Sequence, residues 1–280
     1  MIDKYTWYEK VGIYLGIFVF LSFVLSPFVE GFLVSLKPMH QLFSSPYSFW
    51  PKEGSFDAYF RIWETVPFLW LYILNGIFIA VVATFLGLCM IIPAAYALAR
   101  IEFRGRGATL SGFLMVNMFS GAVLLIPLYR LMRETGLLNT YFAMIVPGTA
   151  FILGTGIWLL RAYMLRIPKE LEEAAFADGA SRFYTFRRVV LPLAMPGILI
   201  AGINCFLTVY AQQFIYALTF NSKSEYMPLS VGLFAFFGRQ EVTWNELMAA
   251  SIVGITPVMI VFFFLQKYLV AGLTAGAVKS

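Results

Sequence analysis

The stretch that decides the fold runs from Pro67 to Leu98, PFLWLYILNGIFIAVVATFLGLCMIIPAAYAL, and holds no Asp, Glu, Lys or Arg. A helix needs about 20 mostly apolar residues to cross the hydrocarbon of a bilayer, and this run is longer than that. It lacks the strict apolar and polar alternation of a barrel strand, and lipid leaves a helix as the other way to satisfy its backbone. Five further stretches read the same way: roughly Val11 to Leu36, Ala108 to Leu128, Tyr141 to Leu165, Met195 to Leu218 and Leu247 to Ala271. Pro27, Pro93, Pro127, Pro147 and Pro257 lie inside or beside them, as in membrane helices that kink against neighbours. The expected fold class is an all-α polytopic membrane protein with six transmembrane helices.

Composition agrees. Of 280 residues, 60% are apolar and 12% charged, against about 25% charged in a soluble domain. With one histidine, His40, and two separated cysteines, Cys89 and Cys205, no zinc quartet, His-pair metal motif or disulfide framework is available, so no metal site is expected. The net charge of +5 is attributed to cytoplasmic loops, and nucleic acid is not expected as a partner. Placing the N-terminus in the cytoplasm puts thirteen Lys and Arg inside and seven outside, the bias expected of that orientation, and six spans return the C-terminus to the cytoplasm. The first span is too long for a signal-peptide core and no small-residue cleavage site follows it. The expected layout is a first transmembrane helix with its outer loop (1–66), a five-helix core (67–271) with a cytoplasmic loop at 166–193, and a cytoplasmic tail (272–280).

That loop, IPKELEEAAFADGASRFYTFRRVVLPL from Ile167 to Leu193, predicts a helix, turn and helix. Pro168 suits a first turn, and Glu170, Glu172 and Glu173 favour the positive end of a helix. Asp178-Gly179 should end that helix, because glycine accepts the left-handed backbone. Ser181 can cap a second short helix, which Pro192 is expected to stop. Leu171, Ala174 and Ala175 would form a face suited to docking, since adjacent alanines allow close approach.

On these residues the chain resembles the inner-membrane permease subunits of bacterial ABC importers. Their signature of Glu-Ala-Ala, three residues, Gly, nine residues, Ile, one residue and Leu-Pro stands here as Glu173-Ala174-Ala175, Gly179, Val189 and Leu191-Pro192, with valine for isoleucine. SLKP at Ser35 to Pro38, AAYALAR at Ala94 to Arg100, LLIPLY at Leu124 to Tyr129 and the ending GLTAGAVKS from Gly272 are similar to the second permease of the maltose-type carbohydrate branch. One departure is Ala211-Gln212-Gln213-Phe214, where relatives often carry a Trp-Asn-Asp-Phe cluster.

The resemblance implies a type I ABC importer permease fold in the bacterial inner membrane. It implies a homologous second permease, two copies of a cytoplasmic ABC ATPase, an extracytoplasmic solute-binding protein and a carbohydrate substrate. Glu173, Ala174, Ala175, Asp178, Gly179, Leu191 and Pro192 would couple to the ATPase, and Gly272, Leu273, Thr274 and Gly276 would contact it from the C-terminus. No stretch matches Gly, four residues, Gly-Lys-Ser/Thr, so no catalytic residue and no cofactor is expected in this chain. ATP and Mg belong to the partner.

Polar residues inside the spans should face the bundle interior. Asn204, Thr208 and Gln212 recur at i, i+4 and i+8 on one stripe, with donors and acceptors suited to sugar hydroxyls. With Asn117, Ser120, Tyr210 and Gln213 they form a candidate translocation pathway, or they bond neighbouring helices. Phe234, Phe236, Phe237 and Trp244, near Arg239, Glu241 and Glu246, form a candidate outer docking surface or an interfacial anchor. Three other readings are an ABC permease for a non-sugar solute, a secondary transporter or channel working alone, and a membrane scaffold. The coupling signature and the scarcity of carboxylates within the spans weigh against the secondary transporter or channel, and the polar stripe weighs against the scaffold.

Overall fold

The computed structural model describes residues 6–119, 121–238 and 242–274, with the backbone path alone at Gly238, Leu265 and 267–274. Among them every element is a helix. In chain order these are α1 (Trp7–Leu36), α2 (Met39–Leu42), α3 (Asp57–Thr65), α4 (Leu69–Arg100), α5 (Arg106–Val116), α6 (Leu125–Glu134) and α7 (Phe142–Met164). Then follow α8 (Glu170–Ala177), α9 (Arg182–Thr185), a π-helical segment (Phe186–Val190), α10 (Leu191–Phe220), α11 (Leu229–Phe234) and α12 (Trp244–Thr274). Single 3-10 turns lie at Ser224–Tyr226 and Ala235–Gly238.

Five helices among the described residues are long and apolar enough to cross a membrane: α1, α4, α7, the continuous Arg182–Phe220 helix and the Trp244–Phe264 part of α12. Pro27, Pro93, Pro147, Pro196 and Pro257 all lie within helices. The stretch expected as a third span is divided into α5 and α6, of 11 and 10 residues. At 1.5 Å per residue neither crosses about 30 Å of hydrocarbon alone. The division falls where the apolar run is interrupted by Asn117, Ser120 and Gly121.

The chain forms two compact units, residues 1–69 with 233–255, and 70–232 with 256–280. In the larger unit α7 is the central helix. Ile152, Ile157, Leu160 and Met164 of α7 pack with Ile79, Ala83, Ile91 and Ala95 of α4 and with Ala194, Ala201, Cys205 and Val209 of α10, all buried. Small residues let helix backbones approach in a membrane, where van der Waals packing drives association. Gly154 shows this most directly: a Cβ placed there would lie 2.3 Å from the Phe113 carbonyl oxygen of α5.

In the smaller unit most of α1 is exposed, and Lys37 just beyond it is 2% exposed. The Lys37 ammonium donates to the Ser48 carbonyl at 2.7 Å and lies 4.6 Å from the centre of the Tyr47 ring. Glu30 accepts from Tyr47 at 3.0 Å. Glu246 is buried and accepts from the Thr65 hydroxyl at 2.7 Å.

Candidate functional site: the helix-turn-helix and the polar stripe

The loop folds as its local chemistry dictates. Three glutamates occupy the first turn of α8, Gly179 has φ +85°, and the Ser181 hydroxyl accepts from the Tyr184 amide at 3.3 Å at the start of α9. Pro192, expected to stop the second helix, does not. The helix continues through the π-helical segment into α10, with Pro192 at its second residue. The widened π turn gives the proline ring the room that an α-helical turn would deny it.

Glu173, Ala174, Asp178 and Gly179 are exposed, and Ala175 is half-buried. Leu171, Phe176, Phe183 and Tyr184 are exposed too, so a hydrophilic loop carries four large apolar side chains on its surface. Leu191 is half-buried and Pro192 exposed at the root of α10.

The loop is tied to the end of α4 by a cluster that joins Tyr96 and Arg100 of the AAYALAR stretch to Glu172, a pairing that neither motif announces by itself. Glu172, 5% exposed, turns inward where Glu173 turns outward. Its Oε1 lies 2.5 Å from Arg100 Nε, and its Oε2 accepts from the Tyr96 hydroxyl at 3.1 Å. Arg100 Nη2 also donates to the Ile167 carbonyl at 2.7 Å. The last carbonyls of α4 are capped by other arginines: Arg161 and Arg106 both donate to Leu98, at 2.9 and 2.7 Å, and Arg106 also donates to Ala99 at 3.1 Å. Cations here also complement the negative end of the helix. A cavity of about 780 Å³ opens beside the cluster, lined by Tyr96, Arg100, Glu172, Phe176, Phe183 and Phe186 among others.

The polar residues of α10 divide by face. Asn204 and Gln212 are exposed and Thr208 half-buried, its hydroxyl donating to the Asn204 carbonyl at 2.8 Å. Gln213 is 3% exposed and its amide donates to the Gly76 carbonyl of α4 at 2.8 Å. Tyr210 is half-buried and stacks with Phe206 at 6.0 Å. Asn117 is exposed at the C-terminal cap of α5. Ser120 and Gly276 lie outside the described residues, as do Arg239 and Glu241. Gly272, Leu273 and Thr274 continue the backbone of α12.

Asn75, the one strongly polar side chain in the decisive Pro67–Leu98 run, is buried and does structural work. Its amide donates to the Glu225 and Met227 carbonyls at 2.8 and 3.0 Å, and its oxygen accepts from Tyr141 at 2.9 Å. Of the aromatic group at 234–244, Phe234, Phe237 and Trp244 are exposed, with the Phe237 ring in contact with each of the other two, whereas Phe236 is fully buried.

Residues 43–275 match the family model of binding-protein-dependent transport system inner membrane components. The chain belongs to that family, and is a permease subunit of an ABC transporter of the inner membrane. It is 35% identical over 255 residues to the sulfoquinovosyl glycerol transport system permease protein SmoH of Agrobacterium fabrum, covering 91% of this chain and 89% of that one. It is 32% identical to the trehalose/maltose transport system permease protein MalG of Thermococcus litoralis, over 97% of each chain. Among solved structures it superposes on a chain of a bacterial ABC transporter involved in the import of the acidic polysaccharide alginate, with a TM-score of 0.73 and 26% identity, covering 94% of this chain and 98% of that one.

Proposed function

We propose that this chain is one of two homologous permeases that form the translocation pathway of an ATP-driven carbohydrate importer. The complex contains two copies of a cytoplasmic ATPase, one of which docks on the helix-turn-helix of this chain, and an external binding protein delivers the sugar. The relatives named for sulfoquinovosyl glycerol and trehalose/maltose, and the alginate importer, support the substrate class. The chain crosses six times with both termini in the cytoplasm, α5 and α6 together supplying the third crossing. The domain layout is a first helix and outer loop (1–66), a core (67–271) and a tail (272–280). Gly272, Leu273, Thr274 and Gly276 reach the ATPases. ATP and Mg bind the partner, in keeping with the missing phosphate-binding signature.

The observation that carries this reading is the exposure of four large apolar side chains, Leu171, Phe176, Phe183 and Tyr184, on an otherwise hydrophilic loop, since exposed apolar surface of this kind marks interaction sites. Asn204, Thr208 and Gln212 present their stripe to the passage, joined by Asn117 and Tyr210, while the Gln213 amide holds α10 to α4; Ser120 keeps its assignment to the pathway on the sequence alone. The ATPase biases the permease by binding its two states unequally.

The test is purification of the complex through a tag on this chain, then ATP hydrolysis in lipid with candidate binding proteins and sugars. A second permease and an ATPase should co-purify, and sugar should stimulate hydrolysis. Gly179 sits at φ +85°, where any side chain strains the turn itself, so the obstructing side chain is placed on the exposed, helical Ala174: Ala174→Trp should obstruct the docking partner and reduce that stimulation at least tenfold. A lone chain that transports without ATP would sink the proposal.

A further inference from the structure

We infer that Glu172 and Arg100 form a strut that makes the docking loop and α4 move as one body, a role distinct from that of the neighbouring motif glutamate, Glu173. The inference rests on the importer reading above. Both side chains of the pair are 7% exposed. A largely buried ion pair resists opening, because separating it gives up the attraction between two charges that keep only part of their hydration. The single Glu172 carboxylate also reaches two turns of α4, with the Arg100 guanidinium in ionic contact with one oxygen and the Tyr96 hydroxyl donating to the other. Arg100 reaches past the carboxylate to the Ile167 carbonyl, which precedes α8. The second arm of the loop meets the same place, since the Tyr96 ring lies 4.7 Å from Phe186 in the π-helical segment.

Both arms of the loop therefore converge on two residues one turn apart in α4. Glu173, one position on, is exposed and free to meet a partner. The two adjacent glutamates point about 100° apart around the helix, so one contacts the docking partner and the other transmits its displacement. Glu172 is a positioning residue: it touches neither nucleotide nor transported solute.

The experiment reads the amount of solute imported per ATP hydrolysed by the full complex in liposomes, alongside ATPase co-purification. Glu172→Gln and Arg100→Lys should keep the ATPase bound but reduce solute per ATP at least fivefold, and Glu172→Asp should recover part of that loss. Wild-type solute per ATP in both Glu172→Gln and Arg100→Lys would overturn the strut while leaving the importer reading intact. Wild-type protein that binds no ATPase would overturn both. Should the single variants fail to assemble, the double variant Arg100→Met, Glu172→Met replaces the pair by apolar side chains that preserve packing. Lost coupling in that assembled complex supports the strut, and wild-type coupling overturns it.

Discussion

Helices α1 and α7 are both apolar enough to cross a bilayer, and α1 has the higher mean hydropathy, yet 61% of the best apolar window of α7 is buried in protein against 6% for α1. Hydropathy separates lipid from water but not lipid from protein, because a bilayer core and a protein core are equally dry. One difference between the two helices is the share of small residues at a packed face. The buried face of α7 carries Ala143, Gly148, Thr149, Gly154 and Gly156, whereas α1 presents Phe18, Phe20, Phe23 and Phe28 outward. Small residues permit backbone contact, and bulky aromatics fill the surface next to acyl chains.

The sharpest way to break this contrast is Gly154→Leu. The added side chain would displace the α5 backbone, and we expect a loss of about 3 kcal/mol, read as reduced thermal stability and folded yield in detergent. Gln213→Leu removes one interhelical hydrogen bond between α10 and α4, with an expected loss of about 1 kcal/mol in the same melt. Phe18→Ala on α1, where Phe18 is 68% exposed, should change stability by less than about 0.5 kcal/mol. A large effect at Phe18 in the isolated chain would abolish the distinction between the two helices.

The long apolar runs were legible because length and missing charge are properties of the chain itself. The turn at Gly179 and the cap at Ser181 were legible for a similar reason: each depends on a few adjacent residues. The interruption of the third span was not, since Asn117 and Ser120 read equally well as polar lining of an intact helix. Pro192 misled because a helix has a second way to accommodate proline, by widening a turn, which no local rule announces. Which of Glu172 and Glu173 turns inward, or of Gln212 and Gln213, depends on where α4 lies, and that is tertiary information. Asn75 could have been found: a lone amide in an uncharged run has to satisfy its donors somewhere.

The widened turn at Phe186–Val190 also sets an angular phase. One residue more per turn than an α-helix offsets everything before it by about 100° around the helix axis. Deleting a single residue there would restore an ordinary helical pitch and leave α10 unchanged in composition. It would also swing the Glu170–Ala177 helix a quarter turn away from Tyr96 and Arg100. The orientation of the docking loop is thus set by a count of residues as well as by their identity.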